Sequence, residues 1–235
     1  KDLLLENKSK VMAKNDFSTI RPHNHERKCP VVLVLDTSGS MRGNKIYQLN
    51  RGVETLFYEI KNDVTTTSRL ELAIVRFSSE AELITDFQNL DHIEIPIFQA
   101  GGNTNMDAAM RKAMVLIESR KKFYKDQGLQ YYRPLIAMIT DGGPWPREHQ
   151  DIDSLSKEVY VSVESKKFNF MAFGVDGANM KILNQLSHPL SPPLKVKHVN
   201  FKGLFHWLSN SIKIISNSKM NEQVMLPNNQ ILFEI

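Results

Sequence analysis

The run VVLVL at 31–35 is apolar without alternation and stops on an acid, Asp36. PLIAMITD at 134–141 repeats that form, and FNFMAFGV at 168–175 is a third apolar run of similar length. Short unbroken runs of this kind belong to strands covered on both faces, which occur in parallel sheets flanked by helices. Between them the period changes. Ile46, Leu49, Val53, Leu56, Phe57 and Ile60 recur at spacings of three and four, as the apolar stripe of a helix does. The same spacing marks Ala109, Met110, Ala113, Met114 and Ile117, then Leu155, Val159 and Val163, then Leu204, Leu208, Ile212 and Ile215.

LELAIVRF at 70–77 and ELITDF at 82–87 are joined by Ser78, Ser79 and Glu80 and read as a hairpin. A short strand is expected at 194–199. Strands alternating with helices predict an α/β fold: a doubly wound, mostly parallel sheet with one antiparallel edge strand and helices on both faces. The 235 residues suffice for one such domain and some flanking chain. The domain is expected at 29–216, with an N-terminal extension at 1–28 and a C-terminal tail at 217–235 whose end, ILFEI, is a tether or an added strand.

Composition narrows the setting. Apolar residues at 41% and charged residues at 24% are those of a folded globular chain rather than a disordered one. The net charge is +4, but the lysines are spread along the chain, so nucleic acid is not an expected partner. A single cysteine, Cys29, permits no intrachain disulfide, which makes the cytoplasm the expected location. No stretch approaches the roughly 18 consecutive apolar residues of a membrane span. The first residues lack the apolar core and cleavage site of a signal peptide.

Ligands of doubly wound sheets sit beyond the carboxyl ends of the strands, where strand order reverses. Asp36 and Asp141 stand at such ends. After Asp36 the chain reads Thr37-Ser38-Gly39-Ser40, so Asp36, Ser38 and Ser40 can face one point while Gly39 lets the backbone curve around it. The loop Gly101-Gly102-Asn103-Thr104 brings a further hydroxyl. Two acids and three hydroxyls suit a small hard cation such as Mg²⁺. An ion so lightly neutralised keeps enough positive charge to attract an outside carboxylate.

Blander readings stand beside this one. Asp-Thr-Ser-Gly-Ser is also turn chemistry, and Thr104 could cap the helix after it. His23, His25 and Cys29 would need a fourth ligand to hold zinc. The stretch 39–45 does not satisfy GxxxxGK[ST]. A Mg²⁺-dependent phosphoryl hydrolase would use Asp36 as nucleophile, but the second acid such chemistry wants two positions on is replaced by Ser38. Phe205 and Trp207 on the last helix read as core. Met106 and Trp145 lie in the site loops and are candidates for shaping a docking surface.

DTSGS at 36–40, the threonine of GGNTN and the acid of TDG together resemble the metal-ion-dependent adhesion site of von Willebrand factor A domains. The resemblance covers about residues 30–215. It implies Mg²⁺ or Mn²⁺ held by Ser38, Ser40 and Thr104, with Asp36 and Asp141 contacting the ion directly or through water. It also implies a non-enzymatic domain whose protein partner supplies a Glu or Asp to the metal, and whose last helix, at 201–216, can move when the metal site shifts. RGNKI, YRPLIAMITDGGPW and FKGLFHWLSNSI are similar to bacterial members associated with tellurite resistance. That group implies a cytoplasmic protein of stress-response or phage-defence clusters, partnered by a kinase or phosphatase encoded nearby.

Overall fold

The computed structural model describes residues 26–144, 150–196, 200–219, 225–227 and 233–234. Its elements follow in the order β1 (Cys29–Asp36), α1 (Asn44–Lys61), α2 (Val64–Arg69), β2 (Leu70–Phe77), β3 (Ala81–Gln88), α3 (Met106–Asp126), β4 (Leu135–Thr140), α4 (Ile152–Glu164), β5 (Asn169–Gly174), α5 (Met180–Leu186), β6 (Leu194–Val196), α6 (Phe201–Asn217) and β7 (Phe233–Glu234). The strands form one sheet in the order β3-β2-β1-β4-β5-β6-β7. β1 pairs in parallel with β2 on one side and β4 on the other. The hairpin strand β3 is the antiparallel edge, as expected, and the two-residue β7 runs antiparallel to β6 at the opposite edge.

The unbroken apolar character of β1 has a direct cause. Val31, Leu33 and Leu35 point into a core shared with Leu56, Phe57, Phe205 and Leu208 of α1 and α6. Val32 and Val34 point the other way, into a core shared with Met110, Leu155 and Leu183 of α3, α4 and α5. All five β1 side chains are fully buried. Burying an aliphatic side chain of this size contributes about 1.5–3 kcal/mol, so a polar residue on either face would lose that contribution.

Two short helices escape the periodicity. α2 reads VTTTSR and has no apolar stripe; its start is set by Asp63, whose carboxylate accepts from Thr66 N at 2.7 Å. That bond also holds the Asp63 carboxyl below its ordinary range. α5 is set by Asn179, which accepts from Ile182 N. The strand expected at 194–199 is described over Leu194–Val196, and 197–199 lie outside the described residues. Of the N-terminal extension, Lys28 makes a parallel bridge with Tyr131; residues 1–25 lie outside the description, as does most of the tail around β7.

Candidate metal centre

β1 and β4 are neighbours, with Leu35 opposite Ile139, so their carboxyl ends open on one crevice where strand order reverses. Asp36 closes β1 and is fully buried. Its Oδ1 accepts from Ser38 N at 2.8 Å and its Oδ2 from the Thr140 hydroxyl. Burial pushes the Asp36 carboxyl up to about 6; the bonds from Ser38 and Thr140 oppose that rise, and the charge of Asp141 adds to it.

The hydroxyls of Ser38 and Ser40 are 3.0 Å apart. Ser40 Oγ donates to Asp141 Oδ1 at 2.7 Å, across 101 residues of sequence. The other oxygen, Oδ2, receives Lys45 Nζ at 2.5 Å, and the same ammonium reaches Asp176 O at 2.8 Å. One lysine at the start of α1 thus reaches two sheet-end loops.

The third loop is fastened to the first by backbone. Gly101 N donates to Thr37 O at 2.8 Å and Gly39 N to Gly102 O at 2.9 Å. A methyl group at Gly39 would stand 3.2 Å from Gly102 O, and Gly102 itself has φ +78, so both glycines serve this close approach. A methyl group at Gly142 would stand 3.8 Å from Thr104 Oγ1 and 4.0 Å from Ser40 Oγ, which puts those two hydroxyls on either side of one small space. Thr104 does not cap the following helix. Asn105 does so, accepting from Ala108 N, and this leaves the Thr104 hydroxyl uncommitted to that role.

The donor set fits a small hard cation. At Mg–O distances of about 2.0–2.1 Å, adjacent octahedral ligands lie about 2.9 Å apart. The Ser38–Ser40 and Ser40–Asp141 separations, 3.0 and 2.7 Å, are of that size. Among the described residues no three His, Cys, Asp or Glu gather where they could share a metal, so any ion here depends on hydroxyl ligands.

Hydrogen bonds therefore link Asp36 to Ser38, Ser38 to Ser40 and Ser40 to Asp141 in series, and Thr104 faces the space at Gly142. Met106 does not shape a docking surface: it begins α3, is fully buried and packs in the core. Trp145, His23 and His25 lie outside the described residues. Cys29 is buried in β1, where burial, with the charge of Glu71, pushes its thiol up to about 12. Lys45, Thr140 and Gly142 border these residues without having been assigned a role from the sequence, although Thr140 and Gly142 flank Asp141 in TDG and Lys45 lies in RGNKI. A separate cavity of about 1050 Å³ opens at the amino-terminal ends of β4 and β5, lined by Arg27, Tyr132, Arg133 and Asn169 among others. Arg133 there answers the carbonyls of Val163 and Phe168.

A parallel sheet wound on both faces, with this crevice at its reversal point, defines the class, and the comparisons agree. A family model described as the von Willebrand factor type A domain matches residues 31–202, and the chain belongs to that family. Inter-alpha-trypsin inhibitor heavy chain H4 of Sus scrofa is 28% identical over 155 residues; the match takes in 62% of this chain and only 16% of that protein. Among solved structures, a von Willebrand factor type A protein from Catenulispora acidiphila superposes with a TM-score of 0.62 at 14% identity, over 80% of this chain and 43% of that one. The pilus adhesin SpaC of Lactobacillus rhamnosus GG, in an open conformation, gives 0.62 at 14% identity, over 79% and 30%. The PilB minor pilin of Streptococcus sanguinis gives 0.57 at 16% identity, over 81% and 62%. Likenesses at these identities speak to the fold. Among the described residues no helix is long and apolar enough to cross a membrane.

Proposed function

We propose that this domain is a metal-dependent protein-interaction module. In this reading Asp36, Ser38, Ser40, Thr104 and Asp141 hold Mg²⁺ or Mn²⁺, and a Glu or Asp of a protein partner docks on the ion. The observation that carries it is the short chain of oxygens from Ser38 through Ser40 to Asp141, spaced as adjacent ligands of a small cation and lying beside the buried Asp36. The bound ion supplies positive charge to draw in a carboxylate.

The chain's own residues do the rest. Ser40 gives its proton to Asp141 and so keeps lone pairs for a cation. Thr140 and the Ser38 amide hold both oxygens of Asp36 in a fixed direction. Asp36, Ser38, Thr104 and Asp141 are buried while Ser40 is exposed, so the site opens to solvent on the side of Ser40.

Binding is favoured over turnover because Ser38 stands where a phosphoryl hydrolase would want its second acid. The domain in this reading runs from 29 to 216 between an extension and a tail. A narrower setting, a cytoplasmic bacterial stress-response or phage-defence system with a kinase or phosphatase as partner, rests on the sequence resemblance of RGNKI at 42–46, the 132–145 stretch and the last helix.

The test combines two measurements. Mg²⁺ or Mn²⁺ should raise the melting temperature of the protein and leave Asp36→Ala unmoved, by the linkage of ligand to the folded state. A partner recovered from native extract should be lost on chelation and absent with Asp36→Ala. Metal-independent melting together with chelator-insensitive capture would overturn the reading.

A further inference from the structure

Lys45 is the second residue of α1, whose first turn carries no acid and whose N-cap, Gly43, supplies no side-chain bond. A cation at that place is opposed by the positive end of the helix dipole, so helix formation does not call for it. Its ammonium lies instead 2.5 Å from Asp141 Oδ2 and 2.8 Å from Asp176 O. The Asp141 side chain is fully buried and that of Lys45 one-quarter exposed. Gly177, with φ +97, leaves room on the far side: a methyl group there would stand 3.7 Å from Lys45 Nζ and 3.0 Å from Asp141 O. The loop after β5 thus cradles the ammonium against a candidate metal ligand.

We infer that Lys45 is a tethered counter-cation with two opposite effects: it weakens the site's grip on a divalent ion, and it strengthens the docking of a carboxylate once that ion is bound. The inference rests on the metal reading above. Its basis is a charge count. Asp36 and Asp141 against Lys45 leave the ionised site one negative charge, and a divalent ion takes it to one positive, which attracts an acid. Without Lys45 the site would carry two negative charges, the ion would only neutralise it, and an arriving acid would meet no net attraction. A charge this close to a buried ligand acts through a low effective dielectric, so its removal should be felt strongly in both steps. Metal and acid should therefore bind with positive coupling, each raising the other's affinity by the same factor.

The experiment is a Mn²⁺ titration of the whole chain, with free Mn²⁺ read by electron paramagnetic resonance, in the presence and absence of acetate as carboxylate probe. Lys45→Met and Lys45→Gln should bind Mn²⁺ at least about tenfold more tightly than the unsubstituted protein, and Lys45→Arg should stay close to it. Acetate should raise the Mn²⁺ affinity of the unsubstituted protein and raise that of Lys45→Met less. Equal or weaker Mn²⁺ binding by both neutral variants overturns the role of Lys45 while leaving the metal reading intact. An acetate effect that is absent in the unsubstituted protein, or undiminished in the variants, overturns the coupling. If the unsubstituted protein and all variants fail to bind Mn²⁺, the metal reading itself falls. The acetate arm on the unsubstituted protein needs no variant to fold.

Discussion

The Thr140 hydroxyl donates to Asp36 Oδ2, joining the ends of two neighbouring parallel strands from positions 104 residues apart. A hydrogen bond to an ionised group contributes about 1.5–3 kcal/mol. Thr140→Val keeps the shape and removes the donor. We expect it to lower stability by about that amount in urea titrations at pH 8, above the Asp36 value of about 6, where the carboxylate is ionised. An unchanged midpoint would mean that Ser38 alone suffices to hold Asp36.

Gly52 of α1 lies against Phe205 of α6. A methyl group there would stand 2.3 Å from Phe205 Cδ2, closer than packed atoms approach. Gly52→Ala gains in helix propensity but forces α6 or its ring outward, and overpacking of this kind costs about 1–3 kcal/mol. Adding Phe205→Leu should recover part of the loss, and a double-mutant cycle would show the coupling. Since α1 begins beside the site loops, the same cycle repeated with Mg²⁺ reports whether metal is felt at α6.

Glu71, Arg120 and Tyr124 form a buried cluster: Glu71 Oε2 accepts from Arg120 Nε at 2.8 Å and from the Tyr124 hydroxyl. Arg120 also lies over the Phe123 ring, 4.7 Å from its centroid. Removing one partner of a buried ion pair strands the other, at about 3–5 kcal/mol. Arg120→Met should therefore destabilise strongly, and Glu71→Leu combined with Arg120→Met much less, by chemical denaturation. Burial, with the Glu71 charge, pushes the Tyr124 phenol well above its usual range, so its ultraviolet ionisation signal should appear only on unfolding.

Cys29 gives a pH-dependent prediction. Below pH 9.0 both folded and unfolded chains keep the thiol proton; between 9.0 and about 12 the unfolded chain releases it and the fold retains it. The fold therefore binds more protons across that window, and this group's contribution to stability is full below it and lost as pH rises through it. Thiol labelling at neutral pH should accordingly be slow in the native protein and fast in denaturant, with native labelling limited by opening of β1. Rapid native labelling would contradict the burial of Cys29.

Much of the fold is legible in the chain because burial on both faces removes alternation from Val31 to Leu35 and gives the flanking helices one apolar stripe each. The site is legible where its residues follow one another, as Asp36, Ser38 and Ser40 do. Lys45 is not, because its significance depends on Asp141 and on a carbonyl 131 residues away. Capping by Asn105 rather than Thr104 turns on a one-position shift of the helix start. Met106, expected in a loop, follows the same shift: it opens α3 and faces the core. α2 lacks any stripe to find, since a side-chain cap and its neighbours fix it.

The two backbone bonds between 37–39 and 101–102 tie the loops together without using any candidate ligand's side chain. The cradle's shape and its chemistry are therefore separable properties of the chain. Exchanging a hydroxyl for a carboxylate at Ser38, Ser40 or Thr104 would retune charge and ion preference on a scaffold that stays put, which makes this corner of the sheet a ready place for relatives to diverge in what they hold.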